Sequence, residues 1–135
     1  MTHADPPFQR PEVAAKFGEI PLPKQCHLLG IRNRIFMVAQ SDERIGPIEE
    51  ALKWGQPAYL TTKTRSGTTL RLGVGKQGNA AVFAHCQTSV MSDFQALTGA
   101  DFQFDGNRGL WLSGAKGAND PRLDQLIYSA LTYHL

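Results

Sequence analysis

Residues 54–59 read Trp54-Gly55-Gln56-Pro57-Ala58-Tyr59, two large aromatics enclosing a glycine, a carboxamide and a proline. Gly55 tolerates positive φ and Pro57 locks its own, so the segment must hold a fixed backbone shape. It also divides two rhythms. Upstream, apolar residues recur at helical spacing; downstream, they alternate. The pattern predicts a rigid elbow joining a mainly helical front half to a strand-rich back half.

With 135 residues, 41% hydrophobic and 19% charged, the chain is long enough for one folded domain. Fourteen basic and 12 acidic residues give a net charge of +2, and no dense Lys/Arg run marks a phosphate stripe, so no nucleic-acid partner is expected. No apolar run approaches the roughly 18 residues of a membrane span. The start, Met1 to Pro7, has neither a basic nor an apolar leader region, which predicts a cytoplasmic protein. Cys26 and Cys86 lie far apart without CxxC spacing and read as reduced thiols, small semi-buried packing groups.

Residues 1–10, with His3 among them, read as a flexible tail, and 11–135 as a single domain. Pro11, Val13, Ala14, Phe17 and Ile20 predict a first helix, interrupted by Pro21 and Pro23. Leu28, Leu29, Ile31, Ile35, Phe36 and Val38 predict a longer second helix, with Arg32 and Arg34 turned away from its core. A third short helix is expected through Ile48, Ala51, Leu52 and Trp54. Thr61, Thr62 and Thr64 then favour strand, Ser66-Gly67 a tight turn, and Leu70, Leu72 and Val74 a returning strand.

Gln77-Gly78-Asn79 reverses the chain into Ala80–Ala84, and Thr88 is placed to cap a helix ending near Gly99. Phe102 and Phe104, the turn Asp105-Gly106-Asn107, and Leu110 and Leu112 predict another hairpin. Asp120 and Pro121 predict the N-cap and first position of a final helix with His134 on its apolar side. Helices at both ends and hairpins between them predict an α+β fold: an antiparallel sheet built from hairpins, packed against N-terminal helices and a C-terminal helix.

The N-terminal helical pair, the WGQPAY segment at 54–59, the central hairpins, Asp105-Gly106-Asn107-Arg108 leading into a strand, and the closing Ala130-Leu131-Thr132-Tyr133-His134 together resemble the YdhG-like family. The resemblance spans roughly residues 11–135. It implies a small cytosolic bacterial domain of the same α+β type, in a family largely without assigned function. Some relatives are described as frataxin-like iron chaperones, so iron enters as a cofactor through the resemblance alone. Hard iron ions prefer carboxylate oxygen. The carboxylates available are Glu12 and Glu19, then Asp42, Glu43, Glu49 and Glu50, interrupted by Arg44 and followed by Lys53.

The chemistry-bearing groups are few. Trp54 and Tyr59 could wall a pocket in which Gln56 offers a donor and an acceptor, or could simply anchor the turn. Asn107 and Arg108 could clamp an anion, or Arg108 could pair with Asp105. His85 sits beside Cys86, but adjacent strand residues face opposite ways, so His85 is poorly placed to activate the thiol. Neither Cys26-His27 nor His85-Cys86 has zinc-site spacing. Gly73-Val74-Gly75-Lys76 lacks the P-loop pattern and leads into another strand, so hairpin chemistry explains it.

Without a catalytic constellation, the expectation is a non-catalytic module binding a small molecule or a protein. The candidate ligand residues are Trp54, Gln56, Tyr59, His85, Asn107 and Arg108. Iron delivery and a small enzyme using His85 and Arg108 are the alternatives. Phe8, Tyr128 and Tyr133 leave self-association open.

Overall fold

The computed structural model describes residues 5–135. Pro11 opens α1 (Pro11–Gly18) in the first turn, where a missing backbone N–H leaves no helical bond unmade. Val13 and Phe17, one turn apart, form its buried face. Beyond Pro21 and Pro23, α2 (Lys24–Gln40) buries Leu28, Ile31, Ile35 and Ala39, a stripe at helical spacing.

Three hairpins follow: β1 (Glu49–Lys53) with β2 (Gln56–Leu60), β3 (Leu70–Val74) with β4 (Ala80–Phe83), and β5 (Gln103–Asp105) with β6 (Gly109–Trp111). Every neighbouring pair is antiparallel, in the spatial order β1-β2-β3-β4-β6-β5. A helix, α3 (Val90–Thr98), links the second hairpin to the third, and α4 (Gly114–Ala118) and α5 (Leu123–Leu131) complete the chain. The protein is therefore α+β, a six-stranded antiparallel sheet of hairpins against which the N-terminal helices and the C-terminal helix pack.

Strand alternation sorts the side chains into two faces. Tyr59, Leu70, Leu72, Val82 and Leu110 join one core with the buried residues of α1, α2, α3 and α5. Each such leucine or isoleucine contributes about 1.5–3 kcal/mol by leaving water. Ala51, Ala58, Ala81 and Phe83 are also buried but stand outside that core, on the opposite face. Ala58, Arg71, Phe83 and Gly109 are register partners across four strands, as are Gly73, Ala81 and Trp111 across three. The helices thus cover one side, and side chains of the sheet itself furnish the other.

The helix expected through Ile48, Ala51, Leu52 and Trp54 is strand β1 instead. Glu50 is drawn to the core side by Arg32 and Tyr59, and that pairing overrides the helix propensity of Glu-Glu-Ala-Leu-Lys. The predicted elbow consequently joins two strands, not a helix and a strand. Trp54 (φ 55°) and Gly55 (φ 72°) are the central residues of the β1–β2 turn, both left-handed as a type I′ hairpin requires.

Thr61, Thr62 and Thr64 lie in the loop between β2 and β3, not in an extended strand. Nor is Ser66-Gly67 a hairpin turn, because that loop docks on the end of α5. The Ser66 hydroxyl donates to the Leu131 carbonyl (2.8 Å) and the Thr68 N–H to that of Ala130 (2.9 Å). Thr88 gives its hydroxyl to the His85 carbonyl and leaves α3 uncapped by its side chain. Asp120 accepts the Arg122 N–H in a turn before α5, which starts only at Leu123. His134 is exposed, not apolar-facing.

Of the expected flexible tail, residues 1–4, including His3, lie outside the described residues. Pro6, Pro7 and Gln9 are hydrogen-bonded to the body of the fold. Pro6 and Pro7 carbonyls accept from Arg32 (2.7 and 3.2 Å), and the Gln9 side chain accepts the Glu50 N–H at 2.8 Å and donates to Ile48. Among the described residues no helix is long and apolar enough to cross a membrane.

Candidate functional site

Two polar constellations lie on opposite sides of the sheet. On the helix side, Arg32 is 1% exposed and Glu50 0%, a correction to the expectation that Arg32 turns away from the core. Arg32 Nε donates to Glu50 Oε2 (2.6 Å) and Nη2 to Oε1 (3.0 Å), a bidentate fork. Tyr59, directly opposite Glu50 in the β1–β2 register, donates its hydroxyl to Oε2 at 2.9 Å. The guanidinium lies over the Phe8 and Phe36 rings, 4.2 and 5.0 Å from their centroids. Burial opposes the Arg32 charge, yet the bond and charge of Glu50 hold its pKa above the ordinary arginine value. Burial, with the Glu50 charge, pushes the Tyr59 phenol well above its usual range. Tyr59 therefore belongs to a closed structural cluster, and so does not wall a pocket.

On the other face, the strands leave a recess of about 470 Å³. Gln56, Arg71, Phe83, Trp111, Arg108 and Asp105 border it, with the β3–β4 turn through Lys76 at its rim. Glycines make the space. A Cβ at Gly73 would meet Gln56 Nε2 at 2.7 Å and one at Gly109 the Phe83 ring at 2.9 Å, while one at Gly75 would overlap the Trp111 ring. These side chains pack close on the sheet because their neighbours have none. Phe83 and Trp111 meet edge to face, centroids 6.3 Å apart at 83°.

Arg71 sits at the centre of this face. Its Nη1 donates to Gln56 Oε1 at 2.8 Å, and its guanidinium lies 5.6 Å from the Phe83 centroid. Among the described residues no carboxylate pairs with it. Arg108, in contrast, donates from Nε to Asp105 Oδ2 at 3.1 Å, the internal pairing foreseen for it. Burial and then the Arg108 charge lower the Arg71 pKa, although an arginine remains protonated throughout the physiological range.

Of the six residues singled out in the sequence, Gln56 and Arg108 border the recess together. The other four do not. Trp54 is 89% exposed at the tip of its hairpin and anchors nothing. Tyr59 is on the core side. Asn107 is exposed in the β5–β6 turn, and His85 is exposed beyond β4, its Nδ1 accepting the Gln87 N–H at 3.1 Å. Both cysteines are exposed, which corrects their reading as semi-buried packing groups. Among the described residues no three His, Cys, Asp or Glu side chains gather as a metal site would need.

Arg71, Phe83 and Trp111 were missed. For Arg71 the signal was present: Leu70, Leu72 and Val74 alternate inward, so Arg71 and Gly73 must face the other side of the strand.

A larger hollow, about 690 Å³, lies between α2 and α5 and is bordered by Arg34, Met37, Val38, Asp124 and Tyr128. It is shallow and chiefly apolar. Arg34 there is occupied in bracing the α4–α5 junction through Asp120 and Asp124. No family model matches the chain, and no curated protein or solved structure is significantly similar to it.

Proposed function

We propose that this protein is a non-catalytic binding module whose ligand, a small polar molecule, seats on the helix-free face of the sheet. Arg71 carries the proposal. A half-buried guanidinium without a carboxylate partner among the described residues, close enough to Arg108 to feel its charge, is an arrangement that a ligand would relieve. Glycines at 73, 75 and 109 keep the surrounding surface low and rigid. Most of the recess is made by strands, which hold side chains more firmly than loops do.

The YdhG-like resemblance is compatible with this reading and supplies no ligand of its own. Iron delivery has no comparable support in the arrangement of donors among the described residues. An enzyme built on His85 and Arg108 has little, because His85 does not border the recess that Arg108 does.

The test is a titration of isotope-labelled protein with a panel of polar metabolites, following backbone amides. Saturable shifts concentrated at Gln56, Arg71, Arg108 and Trp111 support the proposal. Silence across the panel, or saturable shifts centred on the α2–α5 hollow, overturns it.

A further inference from the structure

Building on that assignment of the site, we infer that the recess takes a planar aromatic carboxylate, its carboxyl group on Arg71 and its ring against Trp111. The charge count comes first. Arg108 is answered by Asp105, whereas among the described residues Arg71 has no acid of its own. The centre of the recess therefore calls for one negative charge, which a carboxylate supplies; Lys76 at the rim adds a second cation, so it is donor geometry and not charge that separates a carboxylate from a phosphate.

Donor geometry points the same way. Gln56 Oε1 holds Nη1 of Arg71, and among the described residues Nε and Nη2 meet no acceptor. Those two N–H groups form the side edge of the guanidinium, whose parallel donors match the two oxygens of one carboxylate. Gln56 thus fixes the fork while leaving its reading edge unused. Lysine, a point charge, could not reproduce that match.

The rest of the surface suits a flat ring. Trp111 rests against the backbone at Gly75, is half-exposed and borders the recess; Phe83 stands nearly perpendicular to it. Two aromatic walls at 83° form a corner that accepts a planar ring by stacking on one and meeting the other edge-on. A volume of about 470 Å³ accommodates a ligand of one or two fused rings.

Calorimetry and amide shifts with 2-naphthoate, its neutral isostere 2-naphthamide, cyclohexanecarboxylate and inorganic phosphate decide the matter. The expected result is saturation by 2-naphthoate below about 1 mM, with the other three at least about tenfold weaker. Arg71→Lys should weaken 2-naphthoate by about tenfold and leave 2-naphthamide unchanged, because only the fork is lost. Trp111→Leu offers a second route that spares the charge and should weaken both naphthalene probes equally.

If 2-naphthamide or phosphate binds in the recess as tightly as 2-naphthoate, the carboxylate inference fails while the site survives. The same holds if 2-naphthoate is silent but another polar molecule shifts the recess residues. Should no probe or metabolite shift them, both readings fail.

Discussion

Arg32 and Glu50 form a two-pronged ion pair sealed from solvent, Nε to Oε2 at 2.6 Å and Nη2 to Oε1 at 3.0 Å. The pair ties α2 to the edge strand β1, and through Pro6, Pro7 and Gln9 it also ties down the segment before α1. Desolvating two charges is costly, so the pair is a poor source of net stability but a strict requirement once present. Glu50→Gln alone should destabilise the domain by about 3–5 kcal/mol, and Arg32→Met by a similar amount, because each leaves a buried charge unanswered. Arg32→Met with Glu50→Leu should recover most of that loss. Urea unfolding of the three variants measures it; additive losses in the double variant would contradict the pairing.

The Tyr59 phenol has a folded-state pKa above the unfolded value of about 10. Its contribution to stability is therefore complete below about pH 10 and is lost as pH rises further. In an alkaline titration, one of the three tyrosines should ionise only together with the loss of native circular dichroism. Tyr59→Phe should abolish that step and lower stability by about 1.5–3 kcal/mol, the range for a hydrogen bond to a charged group. Ionisation of all three phenols in the still-folded protein would contradict the burial.

Trp54 holds a left-handed conformation that costs a side chain with a Cβ about 1–2 kcal/mol, and it is almost fully exposed. Asparagine followed by glycine is the preferred pair for this turn. Trp54→Asn should therefore raise unfolding free energy by about 0.5–1 kcal/mol and leave ligand shifts at Arg71 unchanged. A loss of stability would mean that the indole anchors the hairpin after all.

Glycines separate by what surrounds them. A Cβ at Gly67 would lie 2.5 Å from the Leu131 backbone, which cannot step aside as a flexible side chain can. Gly67→Ala should cost about 3 kcal/mol by prising the β2–β3 loop from α5. Gly30, within α2 and with nothing near its added Cβ, should gain about 0.5–1 kcal/mol as alanine. Thermal melts of the two variants should move in opposite directions.

The amphipathic stripes of α1 and α2 and the turns at Gln77-Gly78-Asn79 and Asp105-Gly106-Asn107 were legible because each is a local pattern. β1 was not. Glu49 to Lys53 has helix-forming composition, and its strand identity depends on Arg32, many residues away, receiving Glu50. Loop 61–69 was misread for a similar reason, since its shape is set by contacts with α5. Of the candidate site, Gln56 and Arg108 were visible as polar groups beside turns. The alternation around Arg71 gave its side of the sheet but not its neighbours, because strand register brings Arg71 beside Phe83 and Gly109, and Trp111 beside Ala81 and Gly73.

Crystals soaked with 2-naphthoate would test most directly the claim that the helix-free face is the binding surface. The expected density is a carboxylate seated on Nε and Nη2 of Arg71, with the fused rings against Trp111. Density for the compound in the α2–α5 hollow, beside an unoccupied Arg71, would contradict it.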